Sequence, residues 1–162
     1  MTPDALATLH AHLLTALADA PAQTRRLFHG RGRCWPGLEQ LTVDWLQGVV
    51  LVALFKETEH LQALKHTLLQ IEWSRFGVHT VALQHRYLPQ STTEWLVGDA
   101  IDELTITEGG LRYLIDLGKK QNSGLFLDMR YGRNWVREQA KGQRVLNLFA
   151  YTCNTATCRK AP

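Results

Sequence analysis

Two stretches of the chain carry residues whose types and spacing could do chemistry. The first is Phe126-Leu127-Asp128-Met129-Arg130, where an aromatic ring, a carboxylate and a guanidinium stand at the entry to a helical pattern. Asp128 suits the cap of that helix, and it equally suits a polar contact to a ligand. The second is Val145-Leu146-Asn147-Leu148-Phe149-Ala150-Tyr151-Thr152, an apolar run that leads into a turn. Such a strand, ending at the edge of an open α/β sheet, presents backbone N–H groups where these sheets hold ligands. Asn147 would stand near that edge, with an amide able to bond a ligand or pin the loop. A plain core strand followed by a surface loop accounts for the same residues without chemistry.

Basic residues form a second kind of signal. Residues 1–129 hold 11 Lys and Arg against 14 Asp and Glu, whereas residues 130–162 hold 7 against 1. Arg25, Arg26, Arg31 and Arg33 form a separate cluster with no acid between them. Arg130, Arg133, Arg137 and Lys141 recur at helical spacing and share one face. Arg31, Arg33, Arg133 and Arg137 are therefore candidate contacts to a nucleic-acid backbone. Ordinary solvated arginines are the plain alternative. The polar run 119–124 could carry Gln121 and Ser123 toward a ligand, or simply connect two strands.

Other chemistries find little support. Cys153 and Cys158 lack the closer spacing of a zinc knuckle and have no neighbouring histidine, so no metal site is expected. No P-loop and no Gly-x-Ser-x-Gly elbow occurs. Three cysteines in 162 residues argue against a disulfide scaffold and fit a reducing cytoplasm. The longest apolar run, 49–55, is far short of the ~20 residues needed to cross a bilayer. The expectation is a cytoplasmic protein with no membrane partner and no secretory signal.

These residues need elements to position them. Thr2 and Pro3 suit the start of a helix carrying Leu6, Leu9, Leu13 and Leu17 on one stripe and stopping near Asp19. The spacing predicts strands over 41–45 and 49–55 joined at Gln47-Gly48, then a second amphipathic helix over 59–73. Further strands are expected over 78–85, 94–97, 104–107 and 111–117, the last two joined by Gly109-Gly110. A short strand over 125–127, a helix over 129–141 closed by Gly142, and a buried strand over 145–149 complete the pattern. Only that last strand reads as the opening of a parallel sheet.

The stretch from Glu108 to Thr152 resembles the class I S-adenosylmethionine-dependent methyltransferases that modify large-subunit ribosomal RNA. The matching residues are Glu108, Gly110, Leu111, Tyr113, Asp116, Gln121, Ser123 and Gly124, then the two blocks that open this section. A weaker upstream match is Pro36-Gly37-Leu38 followed by Thr42-Val43-Asp44. The resemblance implies an α+β chain: a mixed, hairpin-containing substrate-side domain over 1–100, a β-hairpin connector over 101–128, and the start of a Rossmann-like domain over 129–162. It implies S-adenosylmethionine as cofactor, held by Phe126, Asp128, Arg130, Asn147, Phe149, Ala150, Tyr151 and Thr152, and RNA, in particular ribosomal RNA, as partner.

Beyond Thr152 the sequence departs from that pattern. Asn154 stands where the family has a turn glycine, and no apolar stripe follows. The expectation is an N-terminal fragment with a truncated Rossmann-like domain, inactive alone, whose catalytic residue would lie past Pro162. The alternative is a non-enzymatic RNA-binding module.

Overall fold

The computed structural model describes residues 1–19, 21–118, 123–146 and 148. Helix α1, Pro3–Ala18, starts where the sequence predicts: the Thr2 hydroxyl accepts the Ala5 N–H at 3.2 Å, and Pro3 sits where no donor is needed. Leu9, Leu13 and Leu17 are essentially inaccessible, each worth about 2 kcal/mol of burial. Strands β1 (Arg25–His29), β2 (Leu41–Trp45), β3 (Val49–Leu54), β4 (Thr80–His85) and β5 (Thr93–Val97) form one sheet in the order β1-β2-β3-β4-β5. Gln47 and Gly48 turn β2 into β3 with φ of 56° and 98°. That is the doubly left-handed turn which matches strand twist.

Helix α2, Leu61–Leu69, then crosses over so that β4 pairs with β3 in parallel. A parallel pair therefore lies in the middle of the N-terminal sheet, where the sequence reading expected none. Its signature is a continuous apolar run: every residue of β3 and of β4 is buried, as central parallel strands covered on both faces require. The predicted second helix is shorter than expected, because the chain tightens into a 3-10 turn at Trp73–Phe76, where Trp73 Nε1 donates to Leu68 O.

The two faces of the sheet have different coverings. Val43, Val50, Val52, Leu54, Val81 and Leu83 pack under α1 and α2. Leu46, Val49, Leu51 and Ala82 point the other way and meet Ile106, Tyr113 and Ile115. The last three belong to a hairpin of β6 (Glu103–Glu108) and β7 (Leu111–Asp116). Gln47 joins the hairpin to the sheet: its Oε1 accepts the Thr107 N–H at 2.6 Å, and its Nε2 donates to Ala22 O at 3.1 Å.

The predicted strand over 125–127 is not formed, and the one over 145–149 lies partly outside the described residues. Leu125 is buried against the hairpin, and the chain runs through a 3-10 turn, Leu127–Met129, into α3, Arg130–Gln139. Val145, Leu146 and Leu148 have no strand partner among the described residues, and Leu146 and Leu148 are exposed. No helix among the described residues is long and apolar enough to cross a membrane.

Candidate functional site

Alternation along the strands places Thr42 and Asp44 of β2, Ala53 of β3 and Gln84 of β4 beyond the hairpin's edge, on the face that the helices leave open. Arg26 of β1 joins them. Phe55 and Arg86 are the residues immediately after β3 and β4. Because Leu54 and His85 are register partners, these two also stand side by side, and the Arg86 N–H donates to Leu54 O at 2.8 Å. Segment 123–128 crosses above. Together they enclose a cleft of about 70 Å³, lined by Arg26, Asp44, Phe55, Arg86, Phe126 and Asp128, among others.

Charge is arranged along this cleft. Arg26 makes a bidentate pair with Asp44, Nε–Oδ1 at 2.8 Å and Nη2–Oδ2 at 3.3 Å. Burial works against the Arg26 charge, but Asp44 outweighs it and holds the guanidinium above its ordinary range. Burial pushes the Asp44 carboxyl above the usual carboxylate range, with Arg26 opposing. Arg31 and Arg86 both lie against Phe55, with guanidinium carbons 4.3 and 5.0 Å from the ring centroid. Arg86 is held below its ordinary range by burial first, then by the Arg31 charge.

The predicted site residues separate into three groups. Phe126 and Asp128 line the cleft, as does Ser123. Asp128 does not cap α3: Met129 occupies the cap position, and no side chain bonds there. Arg130 turns away from the cleft, with Nη2 donating to Gln23 Oε1 at 2.7 Å. Arg31 reaches the rim through Phe55, whereas Arg33 is exposed on the following loop and lines no part of the cleft. Asn147, Phe149, Ala150, Tyr151 and Thr152 lie outside the described residues, as does Gln121.

The α3 arginines occupy neither of the places considered for them. Arg133 is neither solvated nor poised for phosphate. It is 3% exposed, paired with Glu108 and donating from Nη1 to the Phe126 carbonyl at 2.7 Å. Arg137 donates to the Gly109 carbonyl. The basic face of α3 is thus its docking face, and the outward face carries Tyr131 and Trp135, both exposed.

Sequence reasoning missed Phe55, Arg86 and Gln84. The available signal was the strand–helix–strand order across 49–85, which would have set Phe55 beside Arg86. Among the described residues, no three His, Cys, Asp or Glu side chains gather to hold a metal. Of the sequence-predicted donor residues, Phe126 and Asp128 bring an apolar wall and a carboxylate to the cleft.

Comparison with known proteins gives this arrangement a context. Residues 25–161 match the family model described as S-adenosylmethionine-dependent methyltransferase. A stretch of 55 residues is 49% identical to ribosomal RNA large subunit methyltransferase K of Neisseria meningitidis serogroup B, covering 34% of this chain and 16% of that protein. Ribosomal RNA large subunit methyltransferase I of Erwinia tasmaniensis is 32% identical over 121 residues, covering 72% of this chain and 31% of that protein. A solved structure from Streptococcus mutans, described as that of a SAM-dependent methyltransferase, superposes with a TM-score of 0.77 at 21% identity. It covers 95% of this chain and 42% of that one, and it bears on the fold alone. The chain thus spans well under half the length of each of these proteins. With 25–161 matched, the chain belongs to the S-adenosylmethionine-dependent methyltransferase family.

Proposed function

We propose that the chain is the substrate-side part of an enzyme that transfers a methyl group from S-adenosylmethionine to a base of large-subunit ribosomal RNA. The observation that carries this reading is the family match over 25–161 taken together with the cleft, where arginines on the sheet face Phe126 and Asp128. When bound, the donor supplies an already activated methyl group, so the protein's contribution is proximity and orientation. Phe126, 45% exposed, offers its ring as an apolar wall, and Asp128 offers a polar contact. Asn147, Phe149, Ala150, Tyr151 and Thr152 complete the donor set in this reading, without Arg130, which bonds Gln23 instead. The division into 1–100, 101–128 and 129–162 belongs to it too. The sheet presents RNA, the hairpin braces α3, and the remainder opens the donor-holding sheet.

The test joins residues 1–152 to the remaining part of the Erwinia tasmaniensis relative and supplies tritium-labelled donor with deproteinised large-subunit RNA. The 162-residue chain alone is expected to transfer no label and to show no saturable binding of S-adenosylmethionine at micromolar concentration. The folded fusion is expected to label the RNA. A folded fusion that leaves the RNA unlabelled would overturn the enzyme reading.

A further inference from the structure

We propose that Arg133, anchored by Glu108, is a positioning residue for the methyl donor: it fixes the Phe126 carbonyl and so sets where the Phe126 ring and the Asp128 carboxylate stand at the cleft. This rests on the donor reading above and deepens it. Arg133 acts through the 126–128 junction rather than on the donor.

The guanidinium fork serves two elements at once. Nε and Nη2 meet the two carboxylate oxygens of Glu108 at 2.7 and 2.8 Å, and Nη1 donates to the Phe126 carbonyl at 2.7 Å. A planar fork with its donors in fixed directions couples these partners rigidly. The same carbonyl accepts the Met129 N–H at 3.1 Å, within the 3-10 turn Leu127–Met129 that carries Asp128 at its centre. No side chain caps that turn or the start of α3. The arginine supplies a hold from seven residues further on.

The anchor is referred to the core of the sheet. Glu108 ends β6, and the hairpin packs on the sheet through Ile106, Tyr113 and Ile115. Docking α3 does not by itself call for a buried ion pair, since an apolar contact would serve without the cost of desolvating two charges. Arg137 already ties α3 to the hairpin through the Gly109 carbonyl. What the Glu108–Arg133 pair adds is a fixed place for the junction. The Phe126 ring is 45% exposed, so packing does little to hold it, and its place follows its backbone. A binding wall held in advance spends less of its affinity on being ordered.

The test has two arms. In the 162-residue chain, amide hydrogen exchange followed by NMR reads the junction with no donor present. Arg133→Lys keeps a charge opposite Glu108 but not the fork. It should speed exchange of the Met129 amide about tenfold, the scale of one charge-assisted hydrogen bond. Arg137→Gln removes the other bond between α3 and the hairpin and should leave that amide as in the parent. Equal acceleration in both variants would reduce Arg133 to a docking contact and overturn the proposal. In the fusion described above, Arg133→Lys should raise the KM for S-adenosylmethionine about tenfold and change kcat by less than about twofold, as loss of donor binding does. Phe126→Leu should raise KM too, and Arg133→Lys should then add clearly less than it does in the parent. An unchanged KM, or full additivity, overturns the proposal. Should Arg133→Lys fail to fold, the parent fusion decides: S-adenosylmethionine should shift the Arg133 Nε–H resonance, and an unmoved resonance overturns the proposal. A parent fusion that neither binds donor nor labels RNA sinks the enzyme reading and the donor role with it. An active parent whose variant keeps its KM sinks the positioning role alone.

Discussion

The carboxylate of Glu108 and the guanidinium of Arg133 meet edge to edge, Oε1 to Nε at 2.7 Å and Oε2 to Nη2 at 2.8 Å, with both side chains 3% exposed or less. They lie 25 residues apart, one at the tip of the β6–β7 hairpin and the other on α3. The pair orients α3 on the hairpin. Arg133 also donates to the Phe126 carbonyl, so the same side chain holds the segment that roofs the cleft.

Removing one member leaves a charge buried without its partner, at a cost of about 3–5 kcal/mol. Arg133→Met and Glu108→Gln should each lower stability on that scale in urea melts, and the double variant should lose clearly less than the sum. Independent, additive losses would show that the pair does not act as a unit.

Gly30 and Gly110 should respond to alanine for different reasons. A Cβ on Gly30 would stand 1.8 Å from Leu38 O and 2.8 Å from Leu41 O, both backbone atoms. The β1–β2 loop would have to open, so Gly30→Ala is expected to cost upwards of about 3 kcal/mol. A Cβ on Gly110 meets nothing within 4 Å, but its φ is 79°. Only the left-handed backbone penalty of about 1–2 kcal/mol should appear. Denaturant midpoints of the two variants check the ordering.

Glu94 gives stability an acid limb. Lys65, 2.7 Å from its Oε1, and then His85 hold its carboxyl below the ordinary glutamate value. A carboxyl lowered in this way stabilises the fold above its unfolded value of 4.5 and loses that contribution as pH falls through the folded one. The side chain is 39% exposed, so screening keeps the effect below about 1 kcal/mol. Glu94→Gln should melt slightly lower than the parent at pH 7, and the gap should close on acidification below pH 4.5. A gap that widens toward acid would reverse the assignment.

Trp135 is 63% exposed on the outer face of α3, whereas Trp45 and Trp73 are buried. Trp135→Ser is expected to change stability by no more than about 0.5 kcal/mol and to remove the component of tryptophan fluorescence most readily quenched by acrylamide. Persistence of that component would place the accessible indole elsewhere.

Much of the fold was legible along the chain. The Thr2–Pro3 start, the leucine stripe of α1 and the two left-handed turns at Gln47-Gly48 and Gly109-Gly110 follow from local chemistry, and they appear where the sequence puts them. The 125–127 strand was misread because Leu125 is apolar for packing on the hairpin, not for pairing in a sheet. The α3 stripe was misread because spacing shows only that Arg130, Arg133 and Arg137 share a face. Whether that face meets water, phosphate or Glu108 depends on what is brought opposite it.

Periodicity, turn chemistry and the two blocks around Asp128 and Asn147 determined by themselves the kinds of elements and the family to which they belong, because those signals act between residues close in sequence. The cleft was decided by tertiary structure alone. The parallel register of β3 on β4 sets Phe55 beside Arg86, and the fold of the following loop lays Arg31 on the same ring. Contacts of that sort depend on which strands become neighbours, a result of the packing of two sheet faces against different partners, and no local pattern encodes it.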